Sequence, residues 1–254
     1  MTNGRKLAHL RSRKDCGFCA SRSDCLFGML FDFRDADHAA QHGIRQQVYE
    51  RGDNLYLPGD PLSSLFVIRA GVVKTCLQTE DGSEQIIGFH MAGDVVGFDA
   101  IAQEAYTRSA TAVDTTSACS LPFTYIAQMC RELPDLHRAM MRQMSQAIVD
   151  GARFQVMLTT KHADERVAEF LLSVADWHGH HGYSSAEFTL PMSRADIANY
   201  LNIKPETISR ILARFQQAGM LSMARKQFRI LDRDAMSRQA GRLSKVRAPV
   251  EHRM

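Results

Sequence analysis

Cys16, Cys19 and Cys25 crowd into one short stretch, Cys16-Gly17-Phe18-Cys19 followed six residues later by Cys25. A C-x2-C-x5-C spacing puts three thiolates on a single loop, which suits a soft metal ion or an iron–sulfur cluster better than a buried core. Tetrahedral thiolates suit zinc equally. The Cys16-x-x-Cys19 pair alone would serve a thiol–disulfide switch, although no βαβ pattern accompanies it. Cys76 lies in an apolar-rich run and Cys130 beside Met129, so both read as small hydrophobes. Cys119 has no distinguishing neighbours.

A second set of residues carries chemistry of another kind. From Ser193 to Leu212 the chain has the pattern of a helix-turn-helix. Ser193 suits an N-cap, Ile197, Ala198 and Leu201 face inward, Asn202-Ile203 makes the turn, and Pro205 suits the first position of the second helix. On that helix Ile208, Ile211 and Leu212 pack down, leaving Glu206, Ser209 and Arg210 on the outward face near its N-terminal end. Those types fit base reading in a major groove: Arg forks onto guanine, a carboxylate accepts from the cytosine amino group, and Ser serves either role. Beyond Gly219, Leu221-Ser222 and Gln227–Leu231 read as a two-stranded wing, with Arg225 and Lys226 for phosphates.

Charge supports the same partner. From Met192 onward there are 13 Lys and Arg against 5 Asp and Glu, whereas residues 1–191 hold 18 against 23. A basic C-terminal part on an acidic body favours a polyanion, with nucleic acid first.

These residues need elements to hold them. Between about residues 45 and 125, short apolar runs such as Leu65–Ile68 and Val72–Leu77 alternate with turns such as Pro58-Gly59-Asp60 and Ala92-Gly93-Asp94, which predicts an antiparallel barrel or jelly roll. From Leu136 the period becomes helical. Met140, Met144, Ala147, Gly151, Phe154 and Leu158 form one stripe, and Met141, Ile148, Ala152 and Gln155 form the next. Small residues at Ala147, Gly151 and Ala152 favour pairing with a second copy, with a core helix as the plainer alternative. A further helix is expected from Ala163 through Trp177, broken by Gly179 to Gly182.

Of the residues, 45% are hydrophobic and 23% charged, values that disfavour disorder. No apolar run approaches the roughly 18 residues that span a bilayer. The charged start, with Arg5, Lys6, Arg11, Arg13 and Lys14, lacks an apolar signal-peptide core, so a cytoplasmic protein with reduced thiols is expected. An iron–sulfur enzyme finds no support, since no glycine-rich phosphate loop, metallohydrolase motif or catalytic triad occurs. His178, His180 and His181 share one loop with no carboxylate-rich partner segment.

Over nearly its whole length the chain resembles the FNR branch of the CRP/FNR transcription regulators. The resemblance is carried by Gly88-Phe89-His90-Met91-Ala92-Gly93-Asp94-Val95-Val96-Gly97-Phe98-Asp99-Ala100, and by Pro205-Glu206-Thr207-Ile208-Ser209-Arg210 followed by Arg214-Phe215-Gln216. It implies an α+β fold with a cyclic-nucleotide-binding-like β-roll, a long dimerisation helix and a C-terminal winged helix-turn-helix. The corresponding spans are an arm at 1–29, the β-roll at 30–134, the helix at 135–162, the DNA-binding domain at 163–236 and a basic tail at 237–254.

The resemblance further implies one oxygen-labile [4Fe–4S] cluster per subunit on Cys16, Cys19, Cys25 and Cys119. It implies reading of TTGAT-type half-sites by Glu206, Ser209 and Arg210, and a homodimer formed along Met141, Met144, Ile148 and Gly151. It also implies contact with RNA polymerase around Glu80-Asp81-Gly82-Ser83, and regulation of anaerobic metabolism without membrane, substrate or catalysis. Two departures stand out. Gly151 occupies the place of an aspartate that opposes dimerisation in the family, with Asp150 next to it. Phe98 replaces the ribose-binding glutamate expected after Gly97. That loss disfavours a cyclic nucleotide effector and leaves Arg108, in Arg108-Ser109-Ala110, as a structural ion-pair residue. The alternative is the same DNA reader with a zinc or thiol redox switch, or a cyclic nucleotide effector, in place of the iron–sulfur cluster.

Overall fold

The computed structural model describes residues 43–241. Cys16, Cys19 and Cys25, the 1–29 arm and most of the basic tail lie outside the described residues. Two compact units divide after Gly151.

The first unit is a roll of two four-stranded antiparallel sheets. Strands β1 (Arg45–Tyr49), β8 (Thr116–Pro122), β3 (Ser64–Ala70) and β6 (Val95–Val96) lie side by side in one sheet. Strands β2 (Asn54–Tyr56), β7 (Ser109–Ala112), β4 (Val73–Gln78) and β5 (Glu84–His90) form the other. Gly59 and Gly93 take positive φ, 88° and 98°, at the corners where the sequence requires tight turns. Alternation along β3 and β8 sorts the side chains into two apolar layers. Ile68 and Ala118 join Tyr49, Tyr56, Val73 and Tyr106 inside the roll. Leu65, Val67 and Leu121 face outward onto two helices, α1 (Phe123–Glu132) and α2 (Pro134–Thr160), through Ile126, Leu136 and Met140.

Helix α2 is the long helix expected from the period change. It is buried only at its start, at Leu136 and Met140. Farther along it exposes Met141, Ile148, Val149 and Val156, and Ile148 is 73% accessible. Among the described residues, no helix is long and apolar enough to cross a membrane.

The second unit centres on α3 (Ala163–His180), whose Val167, Phe170, Leu171 and Val174 are buried as the sequence pattern demands. Helices α4 (Arg194–Tyr200) and α5 (Pro205–Gln217) follow, then strands β10 (Leu221–Ala224) and β11 (Gln227–Ile230), and α6 (Arg233–Gln239). The wing has three strands rather than two. Strand β9 (Glu187–Thr189) adds to β11, with Phe188 opposite Phe228. His178 and His181 belong to an aromatic cluster with Trp177, Tyr183 and Phe188.

Candidate functional site

The helix-turn-helix is assembled by local rules. Ser193 caps α4: its Oγ accepts from Asp196 N at 3.0 Å, and Asp196 Oδ2 accepts from Ser193 N at 3.1 Å. This reciprocal pair satisfies two donors that a helix start otherwise leaves open. Asn202, at φ 51°, turns the chain between the helices. Pro205 opens α5 where no backbone donor is needed. Ile208, Ile211, Leu212 and Phe215 are buried, so Glu206 and Arg210 project into solvent from the first two turns.

Ser209 is more constrained than its neighbours. Its Oγ donates to Pro205 O at 3.3 Å and accepts from Arg194 Nη1 at 3.2 Å. Arg194 also reaches Met223 Sδ of β10, at 3.9 Å. One exposed guanidinium therefore joins the start of α4, the reading face of α5 and the wing. Sequence reasoning passed over Arg194; the only signal for it was its place directly after the cap. Arg210 Nη2 rests on Thr207 Oγ1 at 3.3 Å. At the wing's tip a two-residue turn, with Arg225 at φ 56°, exposes both Arg225 and Lys226. The surface thus presents one carboxylate and several guanidinium and ammonium groups beside a protruding helix end, the geometry for major-groove reading flanked by phosphate contacts.

The β-roll holds the one candidate cluster ligand among the described residues. Cys119 is half-buried at the centre of β8, paired with Gln46 of β1 on one side and Val67 of β3 on the other. It shares a face with Leu121 and packs against the outer apolar layer, as do Phe98, Ile101, Phe123 and Met129. Cys130 borders the same layer, where burial pushes its thiol above the ordinary range. Cys76 is 2% accessible within β4. Among the described residues, no three His, Cys, Asp or Glu side chains gather to hold a metal ion.

Arg108 lies 3.4 Å from Asp99 Oδ2, an ion pair whose Nε is not aligned for a hydrogen bond. The same carboxylate oxygen accepts from Thr107 N and Thr107 Oγ1, both at 2.9 Å. Phe98 turns to the outer layer rather than into the roll. Tyr56 and Tyr106 stack at 3.9 Å inside, and burial, with help from Asp99, raises the Tyr56 hydroxyl pKa. Arg108 therefore has its counter-charge within the protein.

Of the four residues assigned to dimerisation, Met141 and Ile148 are exposed, and Met144 is half-buried against the outer layer of the roll. Gly151 is exposed, with open space where a Cβ would stand. The turn at Thr79–Ser83 is pre-formed. Asp81 accepts from Thr79 Oγ1 at 2.5 Å and from Ser83 N at 3.1 Å, which holds its carboxyl down at about 2.

Comparison with known proteins matches residues 165–239 to the Crp-like helix-turn-helix domain and residues 46–132 to the cyclic nucleotide-binding domain. Electron transport regulator A of Shewanella oneidensis is 40% identical over 223 residues, covering 86% of this chain and 89% of that protein. The fumarate and nitrate reduction regulatory protein of Escherichia coli K12 is 41% identical over 202 residues, covering 80% and 81% respectively. Among solved structures, FixK2 from Bradyrhizobium japonicum superposes with a TM-score of 0.72 at 24% identity, covering 77% of this chain and 96% of that one, a likeness of fold. With its β-roll, long helix and winged helix-turn-helix, and with relatives of this identity and coverage, the chain belongs to the FNR type of the CRP/FNR family of transcription regulators.

Proposed function

We propose that the protein is an oxygen-responsive regulator of anaerobic metabolism that binds TTGAT-type palindromes as a homodimer. Its cofactor is one [4Fe–4S] cluster per subunit, held by Cys16, Cys19, Cys25 and Cys119. The observation that carries this reading is the setting of Cys119: a half-buried thiol on a strand paired on both sides, facing an apolar layer. A soft thiolate donor in a water-poor rim fits such a cluster. When bound, the cluster supplies an oxygen-labile link between the N-terminal cysteines and the roll.

The chain's own residues do the remaining work. Cys119 anchors the link, and its neighbours Val67 and Leu121 pass any strain to Ile126, Leu136 and Met140, hence to the start of α2. Helix α2 carries the exposed Met141, Ile148, Val149 and Val156, an apolar stripe that a second copy would bury. Pairing doubles the DNA contacts, so a small shift in association becomes a large shift in occupancy. On each half-site Arg210 forks onto guanine, Glu206 accepts from cytosine and Ser209 adds an adaptable contact. The pre-formed Asp81 turn offers a rigid acidic surface to RNA polymerase.

The test is a set of single alanine variants, purified without oxygen and assayed for iron and operator binding. Cys119→Ala is expected to lose both, and Cys130→Ala to keep both. Retention of iron and binding in Cys119→Ala would remove that residue from the ligand set. Stoichiometric zinc in a colourless wild type would favour the static alternative.

A further inference from the structure

Two contacts bind the end of α2 and the beginning of α3 to the helix-turn-helix, and a third ties the same junction to α3 and the end of α6, all within the second compact unit. Arg166, in the first turn of α3, spreads its guanidinium over three backbone carbonyls. Nε donates to Lys161 O at 2.9 Å, and Nη1 donates to Leu201 O at 2.9 Å and to Asn202 O at 3.4 Å. Lys161 follows the last residue of α2, and Leu201 closes α4. These carbonyls are among those that helix ends leave without partners, and helix C-termini favour a cation. Phe154 of α2 stacks on Tyr200, the last residue of α4, with ring centroids 4.4 Å apart and planes 16° apart. Lys161 Nζ adds bonds to Glu169 Oε2 at 3.1 Å and Ala240 O at 2.6 Å.

We infer that Arg166 is a positioning residue for DNA recognition, fixing the angle between the end of α2 and the α4–α5 pair. The inference rests on the dimeric DNA reading above. In a two-fold dimer the recognition helices must fall about one turn of DNA apart, roughly 34–36 Å. A stiff joint at Arg166 makes the dimer accept one half-site spacing and reject its neighbours. A joint that yields would tolerate several. Arg166 therefore contributes to specificity without touching a base.

The experiment uses full-length protein prepared without oxygen and fluorescence anisotropy on four duplexes: a TTGAT palindrome at the preferred spacing, the same palindrome with one inserted base pair, a single half-site, and an unrelated sequence. Wild type is expected to prefer the correct spacing by about tenfold or more, in line with the cost of a single mismatch. Arg166→Gln is expected to bring the two palindromes within about twofold while half-site affinity is unchanged. The slope of log affinity against log salt should stay as in wild type, because the residue meets no phosphate.

A variant that keeps the spacing preference overturns the inference. So does a fall of about one in the salt slope, which would make Arg166 a phosphate contact. Loss of half-site binding in step with the palindrome also overturns it, reducing Arg166 to a fold-holding role. Should the glutamine variant not fold, Arg166→Lys, with the charge but not the fork, decides by the same criteria. A wild type that binds the unrelated duplex as tightly as the palindrome refutes the DNA reading itself, a separate failure.

Discussion

Helix α5 and strand β8 carry the residues proposed to read DNA and to hold the cluster, and they are fixed by different means. What gives α5 its own conformation and its buried face is close in sequence: the Ser193–Asp196 cap of α4, the Asn202 turn, Pro205, and the spacing of Ile208, Ile211 and Leu212. Strand β8 is held by β1 and β3, some 50 to 75 residues away in the chain, and by α1 and α2 over its outer face. A site built from local rules tolerates change elsewhere in the protein. A site built from long-range pairing registers it. That contrast agrees with the roles proposed above, base reading for α5 and a part in sensing for β8.

The largest expected effect lies on the long-range side. Leu121 is fully buried beside Cys119 in the outer layer, so Leu121→Ala should lower the stability of the roll by about 3 kcal/mol. Urea unfolding followed by circular dichroism would measure this. If α2 takes its position from that layer, operator binding should weaken as well, although Leu121 lies far in sequence from the reading helix. Unchanged binding at full folding would break the proposed route from β8 to α2.

Acidity provides the next test. Burial first, then the Arg108 guanidinium, holds His90 down at about 4, with Asp99 opposing; its Nε2 lies 3.0 Å from Thr75 Oγ1. The folded roll therefore keeps the imidazole neutral, whereas the unfolded chain takes up a proton below its ordinary pKa of about 6.5. This contribution is complete above pH 6.5 and is lost as pH falls toward 4, about 2 kcal/mol for a ring that keeps some solvent contact. Urea midpoints measured across that window should decline in wild type and stay flatter in His90→Gln. Equal slopes would contradict it.

On the local side effects should be smaller and confined. Ser193→Ala removes one half of the cap and should cost about 1 kcal/mol. It should reduce half-site affinity while leaving iron content untouched. A loss of iron in that variant would erase the contrast between the two regions.

The same contrast explains what the sequence made legible. The reading helix could be drawn from about 20 residues because caps, turns and a 3.6-residue period act within that window. The alternation of the roll was visible too, as were its glycine corners. Strand β9 escaped notice because Phe188 has meaning only opposite Phe228. Helix α6 is only a few residues long and fell at the edge of the expected basic tail. Arg166 looked like an ordinary charge near a helix start, since its acceptors at Leu201 and Asn202 lie about 35 residues on. Cys119 could be singled out only by family resemblance, because a half-buried cysteine in an apolar strand has no local signature.

The most direct test of the oxygen-responsive account is the visible absorption spectrum of protein purified without oxygen, with iron and sulfide assayed, then repeated in air beside an operator titration. The account predicts a brown protein whose iron–sulfur absorption bleaches in air as palindrome binding falls. A colourless protein, zinc-loaded or metal-free, that binds the palindrome equally before and after air would contradict it.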